Sequence, residues 1–301
     1  MSVRWLSLGL AATTFACGSV AGQPDAATSD ASGSSDAAAV TRCDPSKPFG
    51  TPIPVPNINT SNDETNFTLT RDELTGFVGN VVQPPVSTGQ LLVTQRASLG
   101  DDFAAPSGAL TAAINNTAGT EYAPSSVADG LSLYFHRQTS NDIGIVVASR
   151  ADRSSAFPAG AMVTLGGSGL VLALGAEISS DGSTLYWLDF NDFKLWSATR
   201  GTTPSDFVGK TAASTFALGG TALSADELTL FYSNGNGDDV LRSTRASKQV
   251  PFEPGAVVPN INTAQQDKPV FLTRDGCVLY LSSNRPGGLG GTDIWQARRP
   301  L

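Results

Sequence analysis

Glu64, Glu121 and Asp267 each stand eight residues before an aspartate of a recurrent turn: Asp72, Asp129 and Asp275. Glu177 lies in the corresponding segment of a further unit. Carboxylates that converge can hold Ca²⁺ through hard oxygen ligands, or work in pairs on a glycosidic bond. If these four crowd one mouth of a channel, they form a candidate ligand site. The alternative is a solvated acidic rim without a ligand. Other chemistry is excluded by count. His136 is the only histidine, so a Ser-His-Asp or Cys-His site would have to use it, and it cannot fill a zinc site. At the end of a strand in YFHR, His136 is expected to be a partly exposed side chain. No catalytic residue and no metal ligand is assigned.

The elements that must position these acids repeat. Asp72, Asp129, Asp181, Asp226 and Asp275 sit in TRDE, VADG, SSDG, SADE and TRDG, about 45–57 residues apart. Aspartate in such a turn accepts hydrogen bonds from backbone N–H groups two residues on. Each turn follows a short strand and precedes an aromatic one: LTGFV, LSLYF, STLYW, LTLFY and CVLYL. A third strand ends at Arg96, Arg150, Arg200, Arg245 or Arg299, and Phe103, Phe157, Phe207 and Phe252 lie seven residues after the first four. Four strands per unit make a propeller blade, and five units predict an all-β, five-bladed β-propeller. Features present in every blade belong to the scaffold, whereas a site should break the symmetry. By that test the turn aspartates, and Asp142, Asp192, Asp239 and Asp293 at the third-strand openings, are turn caps. The arginines are expected to bridge strands or blades, with stacking on aromatics.

After Arg299 only two residues remain, so the last unit lacks its fourth strand. Residues 48–60 read PFGTPIPVPNINT, close to PFEPGAVVPNINT at 251–263, and Arg42 precedes Phe49 by seven. The N-terminal segment is therefore expected to complete the last blade and close the ring, leaving no free sheet edge there.

Residues 1–16 read as a signal peptide, with Arg4 before an apolar run too short to span a bilayer. The stretch TFAC resembles a bacterial lipoprotein cleavage box, which would place lipid on Cys17. It departs from that pattern at Thr14 and Phe15. Cleavage after Ala21 is the alternative. Residues 17–41, mostly Ala, Ser, Asp and Gly, are expected to form a disordered tether, and 42–301 the propeller. With Cys17 lipidated, Cys43 and Cys277 form a pair by count and position, stapling the closure in an oxidising compartment. The alternative is two unconnected thiols. The net charge of −8 argues against nucleic acid and against an anionic membrane surface as partners.

SSDGSTLYWLD and TRDGCVLYLSSNRPGGLGGTDIWQARR resemble the TolB-like propeller repeat, a periplasmic WD-repeat-like family. The likeness runs over about 48–301. It implies an envelope protein and names no activity, and TolB's own partner binding is not carried over. The expectation from these readings is a non-enzymatic binding or scaffolding propeller of the bacterial cell envelope. It would need no cofactor unless Ca²⁺ binds, take an envelope protein or glycan as partner, and meet the membrane only through its lipid anchor. The alternative is a carbohydrate-active or cation- and glycan-binding propeller using acids at the channel mouth. Cys17→Ser should release the full-length protein from membranes on fractionation, and continued membrane association would contradict the anchor.

Overall fold

The computed structural model describes residues 42–301 except 83–87, 117–118, 141–142, 172 and 236–238. The signal peptide, the tether with Cys17, and Asp142 lie outside the described residues. The protein is all-β and forms a five-bladed propeller. The inner strands of blades one to five are Asp63–Leu69, Thr120–Ser126, Ala173–Ile178, Thr221–Leu223 and Asp267–Leu272. Each pairs antiparallel with an aromatic-rich second strand: Thr75–Val82, Ser132–Gln138, Thr184–Asp189, Thr229–Ser233 or Val278–Ser283. Third strands follow at Thr88–Gln95, Ile143–Ser149, Lys194–Arg200, Val240–Thr244 and Asp293–Arg298. Ala161–Met162, Asp206–Ala217 and Ala256–Val257 are the outer strands of blades two to four. In blade one a single bridge between Val93 and Ser107 stands at that position. Ile53–Pro54 is the outer strand of blade five, with Ile53 opposite Gln296 and Pro54 opposite Trp295, so the ring is closed by the N-terminal segment.

The repeated residues keep one role in most blades, Arg200 departing from it by donating to the Tyr134 hydroxyl at 3.1 Å. All five turn aspartates accept the N–H two residues on: Leu74 at 3.2 Å, Leu131 at 2.8 Å, Ser183 at 2.9 Å, Leu228 at 3.0 Å and Cys277 at 3.0 Å. These bonds hold the carboxyls of Asp181 and Asp226 below the usual range, with the Ser179 and Ser224 hydroxyls contributing most. The spacing of seven between arginine and phenylalanine is a stacking distance along the chain. The guanidinium carbons of Arg96, Arg150 and Arg245 lie 4.5, 4.3 and 4.4 Å from the ring centres of Phe103, Phe157 and Phe252. Their Nε–H groups donate to the carbonyls of Glu73, Gly130 and Glu227, fixing each third strand to its own blade's turn. Each phenylalanine is then buried between two blades. Five apolar clusters, one per blade interface, contain Phe103, Phe157, Phe207, Phe252 and Phe49 in turn.

The closure repeats this arrangement with a change of partner. Phe49 stacks under Arg299, the last arginine, at 4.2 Å. Arg42 does not serve Phe49, although the spacing of seven suggested it. It pairs with Glu73 and Asp275 at 2.6 Å each, bridging the turns of blades one and five. Cys43 and Cys277 are joined in a disulfide, their Cα atoms 5.6 Å apart, 234 residues apart in sequence. Cross-linking so long a loop contributes about 5–6 kcal/mol in the chain-entropy account. Phe49→Ala should cost about 3–5 kcal/mol in urea unfolding. Val257→Ala, on the exposed outer strand of blade four, should stay within about 0.5 kcal/mol. Equal effects would contradict a closure that depends on Phe49.

Candidate functional site

The inner strands of blades one, two, three and five each carry a β-bulge, at Glu64/Asn66, Tyr122/Ser125, Ala173/Ala176 and Pro269/Phe271. One extra residue inverts the side on which everything before it projects. Glu64, Glu121 and Asp267 all precede their bulges. Each is thereby turned off the axis into its blade interface, and each is 0% exposed. Glu64 accepts from the Thr60 N–H at 3.0 Å and the Thr60 hydroxyl at 2.6 Å. Asp267 does the same for Thr263 at 2.7 and 2.9 Å, and also binds Ser283 and Arg285 at 2.6 Å. Glu121 pairs with Arg137 at 2.8 Å. The expected convergence of four acids is therefore corrected: three of them cap loops or pair with arginine. Among the described residues no group of three or more His, Cys, Asp or Glu is placed to hold a metal ion.

Glu177 follows its bulge and faces inward. It lines an axial cavity of about 390 Å³ built from the inner strands of all five blades, with Thr68, Ser126, Thr221 and Val270 representing the other four. The Leu223 N–H of blade four donates to Glu177 Oε1 at 2.6 Å. Oε2 is sealed from solvent and meets no hydrogen-bond partner among the described residues. Burial pushes this carboxyl up to about 7, the Glu227 charge adds to that, and the bonds from Leu223 and Thr221 oppose it. Glu227, also on the cavity wall, is committed elsewhere. It accepts from the Tyr186 hydroxyl at 2.7 Å and pairs with Lys248 at 2.6 Å. Burial, and then Glu227, hold the Tyr186 phenol above its ordinary value, so it stays a neutral donor.

Sequence reasoning missed the aromatic edge of this cavity. Phe193 lines it, is 49% exposed, and sits at φ 54°, a conformation costly for a bulky side chain. Phe190 beside it is equally exposed. The available signal was asymmetry, since FNDF in the third unit has no counterpart in the other units. His136 is also placed differently from expectation. It is fully buried, with its ring 4.3 Å from that of Tyr122, and neither nitrogen has a hydrogen-bond partner among the described residues. The register sets it within the sheet, opposite Tyr122 and Ile145, and on the face of Tyr134 that packs toward blade three. Burial lowers its pKa to about 4.

No protein-family profile matches the chain. No curated protein matches it either. Solved structures do. A GH43_1 enzyme from Xanthomonas citri complexed with xylose superposes with a TM-score of 0.57 at 13% identity, over 83% of this chain and 90% of the other. The catalytic domain of the GH62 α-L-arabinofuranosidase of Coprinopsis cinerea gives 0.54 at 13%, over 84% and 97%. TolB from Acinetobacter baumannii gives 0.45 at 11%, over 79% of this chain and 54% of that one, too low to carry an argument. At these identities the likeness establishes the propeller fold. It also corrects the expectation that the protein is not an enzyme. That expectation rested on the single histidine, on repeated acids belonging to the scaffold and on a resemblance that names no activity, and the propellers matched here over most of both chains include glycosidases.

Glu177 and His136 pull stability in opposite directions with pH. Between pH 7 and 4.5 the folded protein holds a proton on Glu177 that the unfolded chain lacks, so stability rises as pH falls, by about 3 kcal/mol. Between pH 6.5 and 4 the unfolded chain holds a proton on His136 that the folded protein refuses, so stability falls as pH falls, by about 3 kcal/mol. The two nearly cancel in the wild type. Glu177→Gln should uncover a loss of stability on acidification from pH 7 to 4.5, and His136→Phe a gain, read from urea midpoints. Parallel profiles in all three proteins would contradict these burials.

Proposed function

We propose that this protein is a carbohydrate-active propeller that takes a sugar in its axial cavity, with Glu177 as the proton donor. The observation that carries the proposal is the Glu177 carboxyl itself. It lines the axial cavity, its Oε2 meets no hydrogen-bond partner among the described residues so that a turn of the side chain would present it to a ligand, and its pKa of about 7 leaves about half of the carboxyl protonated at neutral pH. The surrounding wall suits a sugar. Thr68, Ser126 and Thr221 offer hydroxyls, and Phe193 offers a ring face for the apolar side of a pyranose. The glycosidases of the same fold add support. A protonated glutamate would give its proton to the departing glycosidic oxygen as its bond to the anomeric carbon breaks, while a water adds to that carbon and releases a proton to solvent, from which the glutamate is reprotonated. A covalent sugar intermediate is not part of the proposal, because the other acids on the wall, Glu73 and Glu227, are held in ion pairs.

The location proposed with this function is the cell envelope, reached by secretion and kept by lipid on Cys17. A glycan is the partner proposed, and nucleic acid is disfavoured by the charge of −8. Aryl xylosides and arabinofuranosides should be hydrolysed by the wild type with a basic limb near pH 7. Glu177→Gln should lose about 10²–10⁴-fold in kcat while still binding sugar. A wild type that neither hydrolyses these substrates nor binds xylose or xylotriose would overturn the proposal.

A further inference from the structure

The residues one before the turn aspartates form a ring at one mouth of the axial cavity: Arg71, Ala128, Ser180, Ala225 and Arg274. Three of the five are small. The two arginines stand on blades one and five, which are neighbours across the ring closure. Both are exposed, and neither side chain makes a hydrogen bond or ion pair with any described residue. The carboxylates next to them are already engaged. Asp72 is held by Thr70 and Arg153, and Asp275 by Thr273 and Arg42. Two guanidinium groups therefore reach the same cavity mouth without a counter-ion, in a chain of net charge −8. The scaffold does not require them, since blades two to four do without.

We infer that this mouth binds the carboxylate of a uronic acid, so that the carbohydrate taken by the cavity is an acidic one. This deepens the function proposed above and rests on it. Arginine presents a planar fork that matches a carboxylate in a bidentate pair, and charge-assisted bonds of this kind outweigh neutral ones. Along the strand direction, Glu177 stands three residues above the arginine ring, roughly 10 Å at the rise of a β-strand. The side chains of the arginines and of Glu177 reach into that span and leave room for one uronic acid unit between them. The recognised unit is accordingly a short oligosaccharide with its uronate at the arginine mouth and a glycosidic oxygen at Glu177.

The test is calorimetric titration of the folded, disulfide-bonded protein with a glucuronic acid–xylose disaccharide, with xylobiose, and with sodium acetate, at low salt. The acidic disaccharide should bind about tenfold or more tightly than xylobiose. Arg71→Gln and Arg274→Gln should each remove most of that preference and leave xylobiose affinity unchanged. Glu177→Gln should preserve the preference. Equal binding of the acidic and neutral disaccharides would overturn the inference and leave the carbohydrate function standing. Absence of binding by either would overturn both. Acetate competing as well as the disaccharide would overturn it too, since an adventitious anion site would then account for the effect. Retention of the full preference in the Arg71→Gln, Arg274→Gln double variant would place any anion site elsewhere.

Discussion

A propeller of five blades exists only if every blade face is covered by the next, and in this chain the last cover comes from the far end of the sequence. Ile53–Pro54 completes blade five, and Phe49 fills the interface of blades four and five as its counterparts fill the others. Arg299 stacks on Phe49, Arg42 bridges the turns of blades one and five, and the Cys43–Cys277 disulfide lies beside them. Packing, charge and a covalent bond thus act at one seam. Elsewhere the chain passes directly from each blade to its neighbour, and the apolar cluster at each interface packs faces that the chain already holds together.

The same ring determines what the axis can offer. Inner strands converge there, and bulges in four of them decide which side chains reach it. The bulges turn three acids into the interfaces, where they hold the loops that enter blades one and five or pair with Arg137. They leave Glu177 facing the cavity with one oxygen unsatisfied. A low-dielectric wall is what raises its pKa, and the wall exists because the ring is closed. The free arginines occur on the two blades that meet at the seam, so the closure also brings the cavity's cations together.

Much of the scaffold was legible in the sequence because it is local and repeated. An aspartate two residues before its N–H donor, and an arginine seven before its phenylalanine, act over distances that the chain itself displays. The likeness of 48–60 to 251–263 identified the closing strand. Arg42 was misleading because the same spacing there serves a different contact, Phe49 being claimed by an arginine from the other terminus. The acids were misread because an offset of eight implies a shared face only in an unbroken strand. Pro124 and Pro269 lie at two of the bulges and were the sign that the alternation breaks, since proline in an inner strand marks such irregularity. The charge state of Glu177 depends on Leu223, Thr221 and Glu227 of the next blade, and no periodicity reveals that.

The central claim is that the axial cavity, organised by Glu177, is where this protein meets its sugar. The most direct measurement is a crystal structure of the Glu177→Gln protein, which should bind without turnover, grown with a xylose-containing oligosaccharide. The account predicts a sugar within the five inner strands, with a glycosidic oxygen or hydroxyl at hydrogen-bond distance, about 2.6–3.2 Å, from the side chain at position 177. A sugar bound on the outer surface, with the cavity holding only water at saturating ligand, would contradict it.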